Sequence, residues 1–172
     1  MGIISIDNLE NLAKQGNGEA QYELGLRYYR GIGVDVDYEK ARNLLESAVN
    51  NGVNGASYYL GVIYYNGKGT PTNHAKAKEY FEQAEKANNV FSSYYLGKLY
   101  YWGDGVEQNL EKANEYKAKV LAKPFFSNQD TDTKNFYSFT DFEGASRTYA
   151  INLQKKVQNE FSSLFGNENN QF

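Results

Sequence analysis

Apolar residues recur along most of this chain at steps of three and four, the spacing that gathers side chains on one face of an α-helix. Ala56, Leu60, Gly61 and Tyr64 fall at i, i+4, i+5 and i+8, and Ala77, Tyr80, Phe81 and Ala84 fall at i, i+3, i+4 and i+7. Between the two runs, Gly67 suits the left-handed residue that closes a helix, Gly69 extends the turn, and Asn73 suits an N-cap. The pattern predicts helices over 55–66 and 73–87 and, by the same signs, over 5–15, 19–30, 37–50, 91–102 and 109–121. Pro124 breaks the last of these. A separate stripe (Phe142, Ala145, Tyr149, Leu153, Val157, Phe161 and Leu164) predicts a longer amphipathic helix over 141–165, opened by Thr140 or Asp141 and ended by Gly166.

The helices are copies of one another. Gly25, Gly61 and Gly97 lie 36 residues apart, and the same interval relates Leu24/Leu60/Leu96, Tyr28/Tyr64/Tyr100, Gly31/Gly67/Gly103, Lys40/Lys76/Lys112 and Ala41/Ala77/Ala113. A repeat of this period stacks helix pairs into a solenoid. A mid-helix glycine costs about 1 kcal/mol against alanine, so its recurrence implies close packing against a neighbouring helix. One period back, Leu9, Leu12 and Ala13 fall on Leu45, Ala48 and Val49, so residues 1–18 read as a truncated unit that caps the array. One period forward the pattern fails, because Thr133 stands where glycine is expected and Asp132 where leucine is expected. The expected organisation is a cap over 1–18, three repeats over 19–121, a linker over 122–139, a C-terminal helix over 140–166 and a disordered tail over 167–172. Lys117, at the place of Leu45 and Phe81, suits a last unit whose outer face meets something other than a repeat.

Composition narrows the chemistry. The 172 residues carry a formal net charge of −3, against the clustered positive charge that phosphate-backbone binding needs, so no nucleic-acid partner is expected. There is no Cys, which excludes disulfides and thiolate metal sites. The N-terminal residues Met1 to Asp7 lack a basic leader with a long apolar stretch, and no run is long enough to span a bilayer. The expectation is a soluble, cytoplasmic chain, monomeric when free. With 16 Tyr and 10 Phe the chain is rich in aromatics but has a single Trp.

Candidate catalytic chemistry is sparse. Gly31-Ile32-Gly33-Val34 resembles a phosphate loop in spelling, but the pattern occurs in all three units with no strand before it, so it reads as helix capping. His74 is the only histidine and reads as a solvated turn residue. Glu79, Glu82, Glu85, Glu111 and Glu115 sit beside Lys76, Lys78, Lys86 and Lys112 and read as a charge-paired surface. Nothing assembles a nucleophile, a base and an oxyanion site, so no enzyme, cofactor or metal is expected.

The unit Ala-x-x-x-Leu-Gly-x-x-Tyr-x-x-Gly-x-Gly-Val-x-x-Asp-x-x-Lys-Ala, complete at Ala20, Leu24, Gly25, Tyr28, Gly31, Gly33, Val34, Asp37, Lys40 and Ala41, closely resembles the Sel-one-like repeat, a relative of the tetratricopeptide repeat. The later units depart from it only mildly, at Thr70 and Asn73 and at Ser92 and Asn109, and keep every glycine. The resemblance covers residues 5–121 and implies an all-α fold, a right-handed α-solenoid of antiparallel helix pairs, with the C-terminal helix added to it. It also implies an adaptor or binding role, common among bacterial versions, and a concave groove lined by the first helix of each pair.

With 20, 24, 25 and 28 in the core, the other face of that helix holds Tyr22, Leu26, Tyr29 and Arg30, then Tyr58, Val62, Tyr65 and Asn66, then Tyr94, Lys98, Tyr101 and Trp102. These twelve are the expected partner-binding residues, since Tyr and Trp dominate interface hot spots. The competing reading is that the tyrosines pack between adjacent first helices. The expected function is non-enzymatic protein binding, most sharply an immunity protein that neutralises a bacterial toxin held in the groove. An acidic chain suits capture of a basic toxin by charge complementarity. The alternatives are a scaffold or regulatory adaptor in a larger complex and, from another class, a hydrolase on the repeats, which the lack of Cys disfavours.

Overall fold

A computed structural model describes residues 4–122, which form seven helices and, among those residues, no strand. The chain divides into two units, residues 1–87 and 88–172. The first holds α1 (Ile6–Lys14), α2 (Gly18–Arg30), α3 (Tyr38–Asn50), α4 (Ala56–Asn66) and α5 (His74–Lys86). The second holds α6 (Val90–Trp102) and α7 (Leu110–Ala122). All seven boundaries lie within one residue of those expected from the pattern. The expected helix over 141–165, with its linker and tail, lies outside the described residues.

Capping explains the agreement, because caps are local requirements of the backbone. The side chains of Asp37, Asn73 and Asn109 accept from the backbone N–H of Lys40, Lys76 and Lys112 at 2.9, 3.0 and 2.9 Å. Their own N–H groups donate to the carbonyls of Tyr28, Tyr64 and Tyr100 at 3.0, 2.9 and 2.9 Å, so each turn is closed in the same way three times. Gly31, Gly67 and Gly103 end the first helices at φ of 72°, 67° and 71°, a conformation that favours glycine. Asn17 and Asn89 cap α2 and α6, a signal the repeat pattern did not single out, and α4 begins at Gly55 without a side-chain cap.

In the first unit, Leu9 and Ala13 of α1, Ala20, Leu24 and Tyr28 of α2, and Ala41 of α3 form a buried cluster, with Ile6, Tyr29, Val34 and Leu44 packed against it. The truncated N-terminal helix thus buries Leu9, as the repeat register expects, but Leu12, which the register sets on buried Ala48, is exposed at 36% and Ala13 is buried beside Leu9 instead. The second helices bury Ala41, Leu45 and Ala48 in α3, then Ala77, Phe81 and Ala84 in α5. In the second unit α7 buries Ala113, Val120 and Lys117, the lysine at 8% exposure in the place of Leu45 and Phe81. A lysine stem can cover apolar surface in this way.

The mid-helix glycines are there because of their neighbours. A Cβ on Gly25 would stand 3.0 Å from Cγ of Leu45, and one on Gly61 would stand 2.5 Å from Cε1 of Phe81. Phe81 is fully buried and has little room to yield. Alanine at 61 gains about 1 kcal/mol of helix propensity but overpacks the core, which costs roughly 1–3 kcal/mol. Gly61→Ala is therefore expected to lower stability on denaturant titration. Adding Phe81→Leu, the pairing that Gly25 and Leu45 already use, should restore most of the loss. A single variant more stable than the parent would contradict this packing.

Candidate protein-binding face

In the first unit the expected binding side of α2 meets α4. The Tyr22 and Tyr29 ring centroids lie 6.2 and 5.9 Å from that of Tyr59, the second edge-on, and Arg30 Nη2 donates to the Tyr59 hydroxyl at 3.2 Å. Tyr29 also meets Tyr38 at 5.6 Å, and the Lys68 ammonium stands 5.2 and 5.0 Å over those two rings. On α4, Tyr58 and Tyr65 lie 6.3 and 6.4 Å from Phe81, and Tyr65 lies 4.9 Å from the His74 ring. In the second unit Lys98 Nζ donates to the Tyr94 hydroxyl at 3.4 Å, and Tyr101 meets Trp102 edge-on at 4.8 Å.

Burial sorts the twelve residues. Leu26, Val62 and Tyr94 are buried, at 2%, 8% and 4% exposure. Leu26 and Val62 therefore do not present the open middle column that their spacing suggested. Tyr22, Tyr29, Tyr58, Tyr65, Tyr101, Arg30 and Lys98 are half-buried. Asn66 is exposed, and Trp102 is 56% exposed, the largest value among the exposed large hydrophobic side chains of the described residues. The physical reason is direction: helical spacing says which residues share a side but not which neighbour lies there. For α2 that neighbour is α4, so Tyr22, Tyr29 and Arg30 spend part of their surface on Tyr59. Asn66 in the first unit and Trp102 in the second are the most open of the twelve, while Arg30, at the same place in the repeat, is half-buried. His74, expected as a solvated turn residue, is instead the first residue of α5 and half-buried against Tyr65.

Tyr59 is the aromatic hub that spacing did not single out, being the neighbour of Tyr58 in sequence and only 4% exposed. A second missed set links successive helices. Tyr28 donates to Glu10 at 3.1 Å and accepts from Lys40 at 2.9 Å, while Tyr64 donates to Glu46 at 2.6 Å beneath the Lys76 ammonium, 4.5 Å over its ring. Lys112 repeats the contact with Tyr100 at 3.4 Å. Glu10 and Glu46 are themselves one period apart, so the sequence carried the signal, but a lone surface glutamate reads as solvated.

These contacts have a titration signature. The hydrogen bonds that the Lys40 and Lys76 ammoniums donate to Tyr28 and Tyr64 hold them above their ordinary value of 10.5, against a smaller opposing effect of burial. Burial, helped by Glu46, raises the Tyr80 phenol above its ordinary 10.0. In each case folding raises the pKa, so the stability contributed is complete below the ordinary value and is lost as pH rises through the folded one. The melting midpoint is therefore expected to hold up to the ordinary values of 10.0 and 10.5 and to fall as pH rises beyond them. Tyr64→Phe should lower stability already at neutral pH, by about 1.5–3 kcal/mol for a lost hydrogen bond to a charged group, and should flatten the alkaline fall in the midpoint. Parallel curves for parent and variant would remove Tyr64 from the alkaline transition.

Among the described residues no group of His, Cys, Asp or Glu is placed to hold a metal ion, and no helix is long and apolar enough to cross a membrane. The first unit thus offers tyrosines packed against one another with Asn66 exposed, and the second offers Tyr101 edge-on against an exposed Trp102.

The Sel1 repeat pattern matches residues 18–53, 55–89 and 90–116. Among solved structures, the chain is similar to a protective antigen present in uropathogenic Escherichia coli strains and displaying an SLR fold: TM-score 0.66 and 24% identity over 98% of this chain and 34% of that one. It thus spans about a third of that antigen's chain, and the likeness is one of fold. A Sel1 repeat protein from Oxalobacter formigenes shares 27% identity at a TM-score of 0.58, over 79% of this chain and 97% of the other. No curated protein matches. The fold is an all-α repeat solenoid, and proteins built of these repeats generally mediate protein–protein interaction and are typically non-catalytic. With more than half of its length matched by the repeat pattern, the chain belongs to the Sel1 repeat family.

Proposed function

We propose that this chain is a non-catalytic capture module that holds a protein partner through the open column of its first helices, and that the partner is a toxin which it neutralises in the cytoplasm as an immunity protein. The observation that carries the binding reading is Trp102, at 56% the most exposed of the exposed large hydrophobic side chains among the described residues. Tryptophan is among the commonest interface anchors, and half-buried Tyr101, edge-on at 4.8 Å, can exclude water on one side of it. Asn66 and Arg30 share its repeat column and add hydrogen-bonding groups to fix orientation.

The toxin reading draws on charge. A net charge of −3 favours rapid encounter with a basic partner, as toxins acting on nucleic acid often are. It is tested by co-expressing the chain with the toxin encoded beside it and scoring cell survival. Survival is expected with the parent and not with Trp102→Ala combined with Asn66→Ala. Protection that persists in the double variant would detach this column from the function. A parent that binds a non-toxic partner through the same column would instead make it an adaptor.

A further inference from the structure

An asparagine followed by glycine is open to attack on its own side chain, because glycine places no side chain in front of its backbone nitrogen. The chain holds four such pairs: Asn17-Gly18, Asn51-Gly52, Asn54-Gly55 and Asn66-Gly67. All four asparagines are exposed, so neither sequence nor exposure separates them. Their hydrogen bonds do.

The Asn17 side-chain oxygen accepts from the Ala20 N–H at 2.9 Å, which caps α2. At Asn51 both reacting groups are tied. Its Nδ2 donates to Gln21 Oε1 at 2.8 Å, and the Gly52 N–H donates to the Val49 carbonyl at 2.9 Å. Asn66 is tied in the same way, with Nδ2 donating to the Val62 carbonyl at 3.2 Å and the Gly67 N–H to the Ile63 carbonyl. Asn54 differs. Its carbonyl accepts from the Ser57 N–H at 3.1 Å, but neither its side chain nor the Gly55 N–H makes a hydrogen bond among the described residues. The nucleophile and the group it would attack are both left loose at this pair alone.

We propose that the fold directs spontaneous deamidation to Asn54. The Gly55 nitrogen attacks Asn54 Cγ, so that an N–Cγ bond forms and the Cγ–Nδ2 bond breaks. The side-chain nitrogen leaves as ammonia, taking up the proton of the Gly55 amide. Water then opens the succinimide ring, its hydroxyl going to the carbonyl carbon and its hydrogen to the nitrogen. Cleavage of the new N–Cγ bond gives aspartate, and cleavage of the original peptide bond gives isoaspartate. Either product sets a carboxylate before α4, which has no acidic residue in its first turn and no side-chain cap, so the helix dipole favours the new charge. The isoaspartyl link also adds one carbon to the backbone beside Tyr22, whose hydroxyl lies 3.6 Å from where a Cβ on Gly55 would stand. The assignment stands apart from the partner reading, which concerns Trp102 and its column.

Peptide mapping by mass spectrometry tests it, on the full chain held at mildly alkaline pH, once folded and once in denaturant. In the folded chain Asn54 is expected to convert first. At roughly a factor of five per hydrogen bond to be broken, it should lead Asn17 about fivefold and Asn51 and Asn66 by about thirtyfold. In denaturant the four rates should converge. Gly55→Ala should suppress the Asn54 product while keeping the fold, since Gly55 has a φ of −59° and the added Cβ meets Tyr22 only at ordinary contact distance. Conversion led by Asn17, Asn51 or Asn66 in the folded parent overturns the assignment, whatever the variant does. So does an unchanged order and spread in denaturant, since the fold would then direct nothing. An Asn54 rate that Gly55→Ala leaves unchanged, in a folded variant, overturns attack by the Gly55 nitrogen.

Discussion

Phe81→Ala is expected to cost about 3–5 kcal/mol, the usual range for removing a fully buried phenylalanine. The ring is fully buried and fills the space left by the missing side chain of Gly61, where a Cβ would stand only 2.5 Å away. Its flanks carry Tyr58 and Tyr65, at 6.3 and 6.4 Å. Alanine leaves a cavity between α4 and α5, and neither helix can close it readily, because the α4–α5 turn is fixed by the Asn73 cap and by the bond from Asn73 N–H to the Tyr64 carbonyl. For a chain of this length the thermal midpoint should drop by roughly 10 °C or more. Phe81→Leu, which reproduces the first repeat, should cost far less. Circular dichroism melts of the three proteins check this, and an alanine variant melting within a degree or two of the parent would refute the packing.

The second large effect concerns binding rather than stability. Trp102→Ala is expected to weaken partner binding by at least ~2 kcal/mol, roughly thirty-fold, as loss of an aromatic anchor does. Its melt should stay close to the parent's, because a side chain 56% exposed contributes little burial. Tyr65→Ala is a poorer probe. Tyr65 packs on His74 and Phe81, so its removal should lower both stability and binding and could not separate them. Glu82→Ala offers a control: Glu82 pairs with Lys78 at 2.9 Å on α5, and an exposed i,i+4 pair contributes only about 0.3–0.5 kcal/mol.

The fold was legible where the constraint was local. Gly31, Gly67 and Gly103 announce left-handed helix ends, Asp37, Asn73 and Asn109 announce helix starts, and three copies in one register remove the ambiguity of any single one. Residues 4–15 were legible by the same register, since Leu9 and Ala13 could be compared with Leu45 and Val49. The face was legible only in part. Spacing grouped Tyr22, Leu26, Tyr29 and Arg30 on one side of α2, but it could not say that Tyr59 of α4 would meet Tyr22, Tyr29 and Arg30, or that Leu26 would be only 2% exposed. Tyr59 and Lys68 escaped notice because their importance comes from contacts between residues 29 or more apart in sequence, as between Arg30 and Tyr59 or Lys68 and Tyr29. The Glu10 and Glu46 links escaped for a different reason: charge at a surface position carries no sign of its partner.

The central claim is that this repeat array holds a protein through the open column ending in Trp102. Isothermal titration of the co-purified partner into the full-length chain, and into Trp102→Ala at matched folded fraction, tests it most directly. The expected result is a dissociation constant roughly thirty-fold weaker for the variant, with Glu82→Ala indistinguishable from the parent. Equal affinity for parent and Trp102→Ala, with both fully folded, would contradict the claim.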